Sequence, residues 1–286
     1  MDNENAFYFI KARYIALLII VGMMFFFIFM GMLDGIIGAP ERSVIFGFFF
    51  YALISFWIIW NIKRYNINYK KFIGFIPLDY NWLEVIGVVF AIIILSMGFM
   101  ELRIYILSTL NPAVLSYVPD TNAFYTVKDS SLAPLLNFME FFTGVIIAPI
   151  VEEFLFRGIL LHRFTIKWGI RVAVLASSFI FGILHADIFG AFLFGLVMCI
   201  LYIKTSTILV PIFCHMLNNF IAFGTEIMGT FTPKVTTTGI VAHIPNLGLA
   251  LFLMLFSGII IIYYLYNNFP KKYWIPPYFR KYEEEY

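Results

Sequence analysis

Charge is scarce in this chain. Asp, Glu, Lys and Arg make up 13% of its 286 residues, against about a quarter of an ordinary soluble domain. Hydrophobic residues reach 62%, more than a soluble fold of this size buries without leaving aggregating patches. Cysteine is scarcer still. Cys199 and Cys214 both fall inside apolar stretches, which argues against a disulfide framework. No basic run occurs and the formal net charge is only +2, so nucleic acid is not an expected partner. No internal repeat, low-complexity tract or polar domain interrupts the apolar segments, and the missing symmetry counts against a small-solute transporter. The first apolar stretch, 14–33, lacks a small-residue cleavage site and is too long for a signal-peptide core, so it reads as a retained span.

What the chain does have is apolar length. A spanning helix needs about 20 mostly apolar residues, because every backbone group must be satisfied within the lipid. Eight segments qualify, at 14–33, 44–60, 82–100, 135–164, 170–185, 188–203, 208–223 and 247–266. The expected fold is an all-α, polytopic membrane protein of about eight transmembrane helices with a core four-helix bundle. It forms one structural domain, divided for description into 1–134, 135–224 and 225–286. Aromatic residues make up 20% of the chain, and Phe25, Tyr51 and Trp57 are of the kind that suits lipid-facing and interfacial positions. Asp79 and Asn81 are candidate caps for the third span.

With eight spans, one side of the membrane receives 14 Lys and Arg residues and the other receives Arg42, Arg103, Lys128 and Lys234. The positive-inside rule then places both termini in the cytoplasm. Turn signals at Asn111-Pro112, Pro119-Asp120 and Thr121-Asn122 predict an external loop over 101–132 that carries a short interfacial helix. A second external loop, 224–246, is rich in Thr and Gly, and the tail from Tyr282 to Tyr286 reads as a solvated acidic end.

Ionisable groups inside a span are costly, so those that persist are candidates for function. They fall in three elements. In the fourth segment, Glu153 and Arg157 stand at i,i+4, the order that best pairs a carboxylate with a cation. Glu152 points about 100° away and has no such local partner. Phe181 and His185 end the fifth segment, and His215 and Asn219 share one face of the seventh. Taken singly, each has a bland reading: a water-facing acidic pair, a histidine bonded to a carbonyl, polar glue between helices. Depth joins them. At about 1.5 Å per residue, Glu152 lies ~18 Å from a helix end near Phe164, His185 ~21 Å from Arg171 and His215 ~13 Å from Ser206.

A carboxylate in a dry pocket is a competent general base when a neighbour holds a water. Glu152 with His185 can bind and deprotonate that water, while His215 and Asn219 can stabilise a tetrahedral oxyanion. Those parts make a hydrolase of amide or ester bonds. An alternative assembly uses Glu152, His185 and His215 as zinc ligands with Glu153 as base. No His-Glu-x-x-His motif and no Ser or Cys nucleophile elbow occurs.

Glu-Glu-x-x-x-Arg (Glu152, Glu153, Arg157), Phe-x-x-x-His (Phe181, His185) and His-x-x-x-Asn (His215, Asn219) resemble the three motifs of the CAAX-protease and bacteriocin-processing family. That family is also called the Abi family of intramembrane peptidases. The resemblance covers roughly 135–223. It implies that Glu152 is the catalytic base, that His185 helps hold the water, and that His215 and Asn219 form the oxyanion site. Glu153, Arg157 and Phe181 would support them. A metal-dependent mechanism was first proposed for the family and later views favour a glutamate-dependent one without an obligatory metal, so the resemblance requires no cofactor, and zinc is the candidate where one is used. Eukaryotic members trim prenylated proteins, and bacterial ones are tied to peptide pheromone processing, bacteriocin immunity or partner membrane kinases. The implied partners are the lipid bilayer, a membrane-associated peptide or protein substrate, and a membrane protein partner. The competing expectation is a non-enzymatic immunity or scaffold protein that docks on another membrane protein.

Overall fold

The structure, a computed structural model, describes residues 6–110, 125, 130–231 and 246–280. Among these residues only helices and their connections occur. The long ones are α1 (Arg13–Met32), α2 (Ala39–Arg64), α3 (Trp82–Leu110), α4 (133–168), α5 (Ile170–Ile183), α6 (Ile188–Thr205), α7 (Leu209–Phe231) and α8 (Leu247–Asn268). Each overlaps one of the eight apolar segments. α1, α2, α3, α6 and α8 are long and apolar enough to cross a membrane, and α5 and α7 contribute shorter apolar stretches. The protein is an all-helical, polytopic membrane protein.

Local chemistry explains most of the boundaries. Gly38 and Pro40 open α2, with Glu41 in its first turn and Lys63 and Arg64 in its last, matching the helix dipole at both ends. Asn81 caps α3 by accepting from the Glu84 N–H at 3.2 Å, as expected. α3 runs ten residues beyond the predicted 100. Glu101 is buried there and its Oε1 accepts from the Asn246 N–H at the start of α8, so a residue read as the beginning of a loop ties two helices together. The predicted interfacial helix, the turn dipeptides from Asn111 to Asn122, most of the 224–246 loop and the 282–286 tail lie outside the described residues.

α4 is one continuous helix with two π-helical stretches, Thr143–Ile147 and Phe154–Leu160. The first has a clear cause. Pro149 has no N–H to give to the carbonyl of Val145, and its ring crowds that carbonyl, so the preceding turn widens. Between the two stretches lies Ala148–Glu153, which carries both glutamates.

α6 is the central pillar. From Leu196 to Ile203 its side chains are all buried, and α5, α3, α7 and α4 pack around it. α1 and α8 lie at the periphery and expose Phe25, Phe29, Phe252 and Ile262 to the surroundings that lipid fills. Phe25 therefore sits where the sequence put it, whereas Trp57 and Tyr51 of α2 turn inward. α5 has 14 residues and spans about 21 Å, short of a hydrocarbon core of about 30 Å. It stops at Ile183, so His185 lies in the connection to α6 and not on the helix. There the Leu184 and His185 N–H groups close onto Phe181 and Gly182 carbonyls, a tightened final turn. Asp187 then caps α6 by accepting from the Gly190 N–H at 3.0 Å.

Both ends of the described chain close over one pole of the bundle. Phe7, from the short helix Ala6–Phe9, meets Tyr278 and Phe279 edge-on and stacks on His162 near the end of α4. Tyr278 accepts from the Asn68 N–H, and Arg280 reaches Ser206 and the Ile203 carbonyl at the end of α6.

Candidate active site

The Glu153–Arg157 pair forms as its spacing predicts. Arg157 Nη1 donates to Glu153 Oε1 at 2.8 Å, and both side chains are fully buried. Arg157 also donates from Nη2 to the Gly195 carbonyl of α6 at 3.1 Å. That reach depends on close packing of α6 against α5: a Cβ at Gly195 would meet Ser178 at 3.0 Å. The face of Phe181 lies 4.8 Å from the guanidinium and supports it by a cation–π contact.

Glu152 looks the other way, towards α2. The Tyr51 hydroxyl donates to its Oε1 at 2.7 Å. Its Oε2 is buried and takes no hydrogen bond from the described protein.

The two histidines approach that oxygen from different elements. Nδ1 of His185 is 2.7 Å from the Phe181 carbonyl. A carbonyl only accepts, so Nδ1 carries the hydrogen and the neutral ring offers the Nε2 lone pair. The ring stacks on Phe181 at 4.3 Å, which fixes its plane, and it is the most open of the group, with a side chain 36% exposed. His215 of α7 is buried between the edges of Phe181 and Phe194. Its Nδ1 lies 2.9 Å from Glu153 Oε1, so the carboxylate that holds Arg157 also orients this ring. One turn on, Asn219 donates from Nδ2 to the Gly144 carbonyl at 2.9 Å and accepts from Asn218. Both His215 and Asn219 face α4, as their i,i+4 spacing requires.

The convergence point is Glu152 Oε2, which stands 3.8 Å from Nε2 of His185 and 3.8 Å from Nε2 of His215. That distance is too long for a direct hydrogen bond and suits one bridging water. The structure thus brings Glu152, Glu153, Arg157, Phe181, His185 and His215 together, with Asn219 one helical turn along α7.

Oε2 and the two Nε2 atoms are donor types that zinc accepts. Tetrahedral zinc with bonds near 2.0–2.2 Å requires donors about 3.3 Å apart, so the spacing is wide by roughly half an ångström. No group of three or more His, Cys, Asp or Glu side chains among the described residues is arranged to hold a metal ion.

Four contacts were not read from the sequence. Tyr51 lies 101 positions from Glu152 on another helix. Its one available signal was a phenol inside an apolar span, where a hydroxyl must find an acceptor. Phe194, the Gly195 carbonyl and the Gly144 carbonyl carry no side-chain signal of polar work.

Residues 134–221 match the Rce1-like family. Its description is type II CAAX prenyl endopeptidase Rce1-like, and the match contains all three polar motifs and the helices that carry them. The resemblance drawn from those motifs is borne out. Over 80 residues the chain is also 42% identical to a protein of Bacillus subtilis (strain 168) named "Putative membrane peptidase YdiL". That alignment covers 27% of this chain and 33% of the relative, so the shared part is about a third of the relative's length. No solved structure gives a significant match. The Rce1-like segment supplies α4 to α7, while Tyr51 comes from α2, outside it.

Proposed function

We propose that this protein is an intramembrane endopeptidase that hydrolyses a membrane-associated peptide or protein precursor with a water activated by Glu152. The observation that carries the reading is the carboxylate oxygen of Glu152 held 3.8 Å from two imidazole nitrogens of separate elements. The Rce1-like match and the peptidase name of the relative support the class of reaction.

A hydrogen count assigns the roles. One water has two hydrogens to donate, so it cannot satisfy three lone pairs. Glu152 Oε2 and His185 Nε2 take them, which turns the water's own lone pair towards a substrate carbonyl. His215 then works as the donor in its imidazolium form, paired with the Glu153 carboxylate: Nδ1–H lies on Glu153 and Nε2–H faces the site. As the water attacks, its proton passes to Glu152 and negative charge grows on the substrate oxygen. His215 Nε2–H and the second N–H of the Asn219 amide stabilise that oxygen. Collapse of the intermediate returns the proton from Glu152 to the leaving amine. Tyr51 keeps Oε1 occupied, so the reacting oxygen is Oε2.

In membrane orientation, we place both termini in the cytoplasm, following the Lys and Arg distribution. The deciding experiment compares peptides that accumulate in cells carrying wild type or Glu152→Ala at equal protein level. The variant should accumulate an uncleaved precursor. Unchanged processing would overturn the peptidase reading in favour of a docking or immunity role.

A further inference from the structure

Away from the carboxylate–histidine cluster, a groove of about 600 Å³ opens between α1 and α2. Its wall is apolar, with Leu17, Leu18, Val21, Phe56 and Trp60 along it, and several of these side chains are more than half exposed. At one end it is lined by Lys11 and Arg64. The sequence explains why the cations meet there. α1 begins just after Lys11 and α2 ends at Arg64, and the two helices pack together as an antiparallel pair. Phe9 stacks on Tyr65 at 6.2 Å, which draws the entry to α1 onto the exit of α2. Neither cation has a carboxylate partner among the described residues; Lys11 rests over Tyr14 and Arg64 over Tyr65.

We infer that this groove binds an anionic glycerophospholipid, with its phosphate between Lys11 and Arg64 and one acyl chain along Leu17, Val21, Phe56 and Trp60. The charge argument selects the ligand. Two cations with no carboxylate partner among the described residues, at the water-facing end of an apolar slot, complement an amphiphile with an anionic head, and a zwitterionic lipid gains far less from them. The aromatic residues beside these cations, Tyr14 and Tyr65, are of the kind that settles at headgroup level. The volume falls within the ordinary range for a site that holds a small ligand.

The test is native mass spectrometry of the full-length protein, released from nanodiscs containing equal amounts of phosphatidylglycerol and phosphatidylcholine with identical acyl chains. Two cations near the surface predict a preference for phosphatidylglycerol of roughly 30-fold, about fivefold for each. Lys11→Gln with Arg64→Gln should abolish the preference, whereas Lys167→Gln, an exposed cation outside the groove, should keep it. Leu17→Trp fills the groove while leaving both cations in place and should lower retention of the lipid itself. Equal retention of the two lipids by wild type, a preference that survives the double substitution, or a loss as large in Lys167→Gln would overturn the assignment. So would undiminished retention in Leu17→Trp.

Discussion

Tyr51 shows how much a single hydroxyl contributes here. A charge-assisted hydrogen bond in a dry site is stronger than a neutral one, and this one determines which oxygen of Glu152 stays available. Tyr51→Phe keeps the ring and its packing and removes only the bond. We expect turnover to fall about 10- to 150-fold, as for a lost bond of roughly 1.5–3 kcal/mol to a charged group, with substrate KM little changed and the protein still folded. A rate within error of wild type in a cleavage assay would show that Glu152 is held by something else. At this scale the sequence was informative wherever partners are local. Glu153 and Arg157, and His215 and Asn219, each lie four positions apart on one helix, so helix geometry alone pairs or aligns them; Phe181 and His185 have the same spacing but meet through the tightened turn after Ile183. Tyr51 could not be found this way, because the chain has 17 tyrosines and nothing local marks the one that faces a carboxylate. The dual role of Glu153, holding Arg157 and His215 at once, was equally hidden until α4 and α7 were seen side by side.

Among the elements, α4 departs most from what a hydropathy reading describes. The sequence gives one long apolar segment containing Pro149; the structure turns that proline into a widened turn that contains Gly144, which holds Asn219, and precedes the glutamate pair. Pro149→Ala restores the missing N–H and, by helix propensity alone, favours the helix by about 3 kcal/mol. Relaxation of the π turn would rotate the turns on its N-terminal side by about 100° and swing the Gly144 carbonyl away from Asn219. The expected outcome is unchanged or raised thermal stability together with reduced cleavage, measured on the same purified protein. Wild-type activity in that variant would show that the widened turn has no part in placing Asn219. Helix centres were legible from apolar length, and ends were legible where a cap such as Asn81 marks them. The end of α5 was not, because apolar character continues past Ile183 through Leu184 while the backbone has already turned.

For the molecule as a whole, the number and order of the helices could be read from the sequence, but the closure of its ends could not. Phe7, His162, Tyr202, Tyr278 and Phe279 come from four distant stretches and form one aromatic cluster. Composition shows only that aromatics are abundant, not which ones meet. Tyr278→Ala removes a buried ring and the acceptor for the Asn68 N–H. It should cost about 3–5 kcal/mol, the range for losing a large aromatic from a core. The readout is a lower Tm in detergent, with catalytic constants unaltered well below the transition. A Tm equal to that of wild type would show that the cluster merely fills space.

Hydrolysis consumes water, and hydrocarbon contains almost none. α5 reaches about 21 Å, so the layer beside it must pucker inward or admit a wet notch to meet its end. His185 stands at that end, partly uncovered. For the proposed hydrolysis, a helix that stops early would open a path for the second reactant.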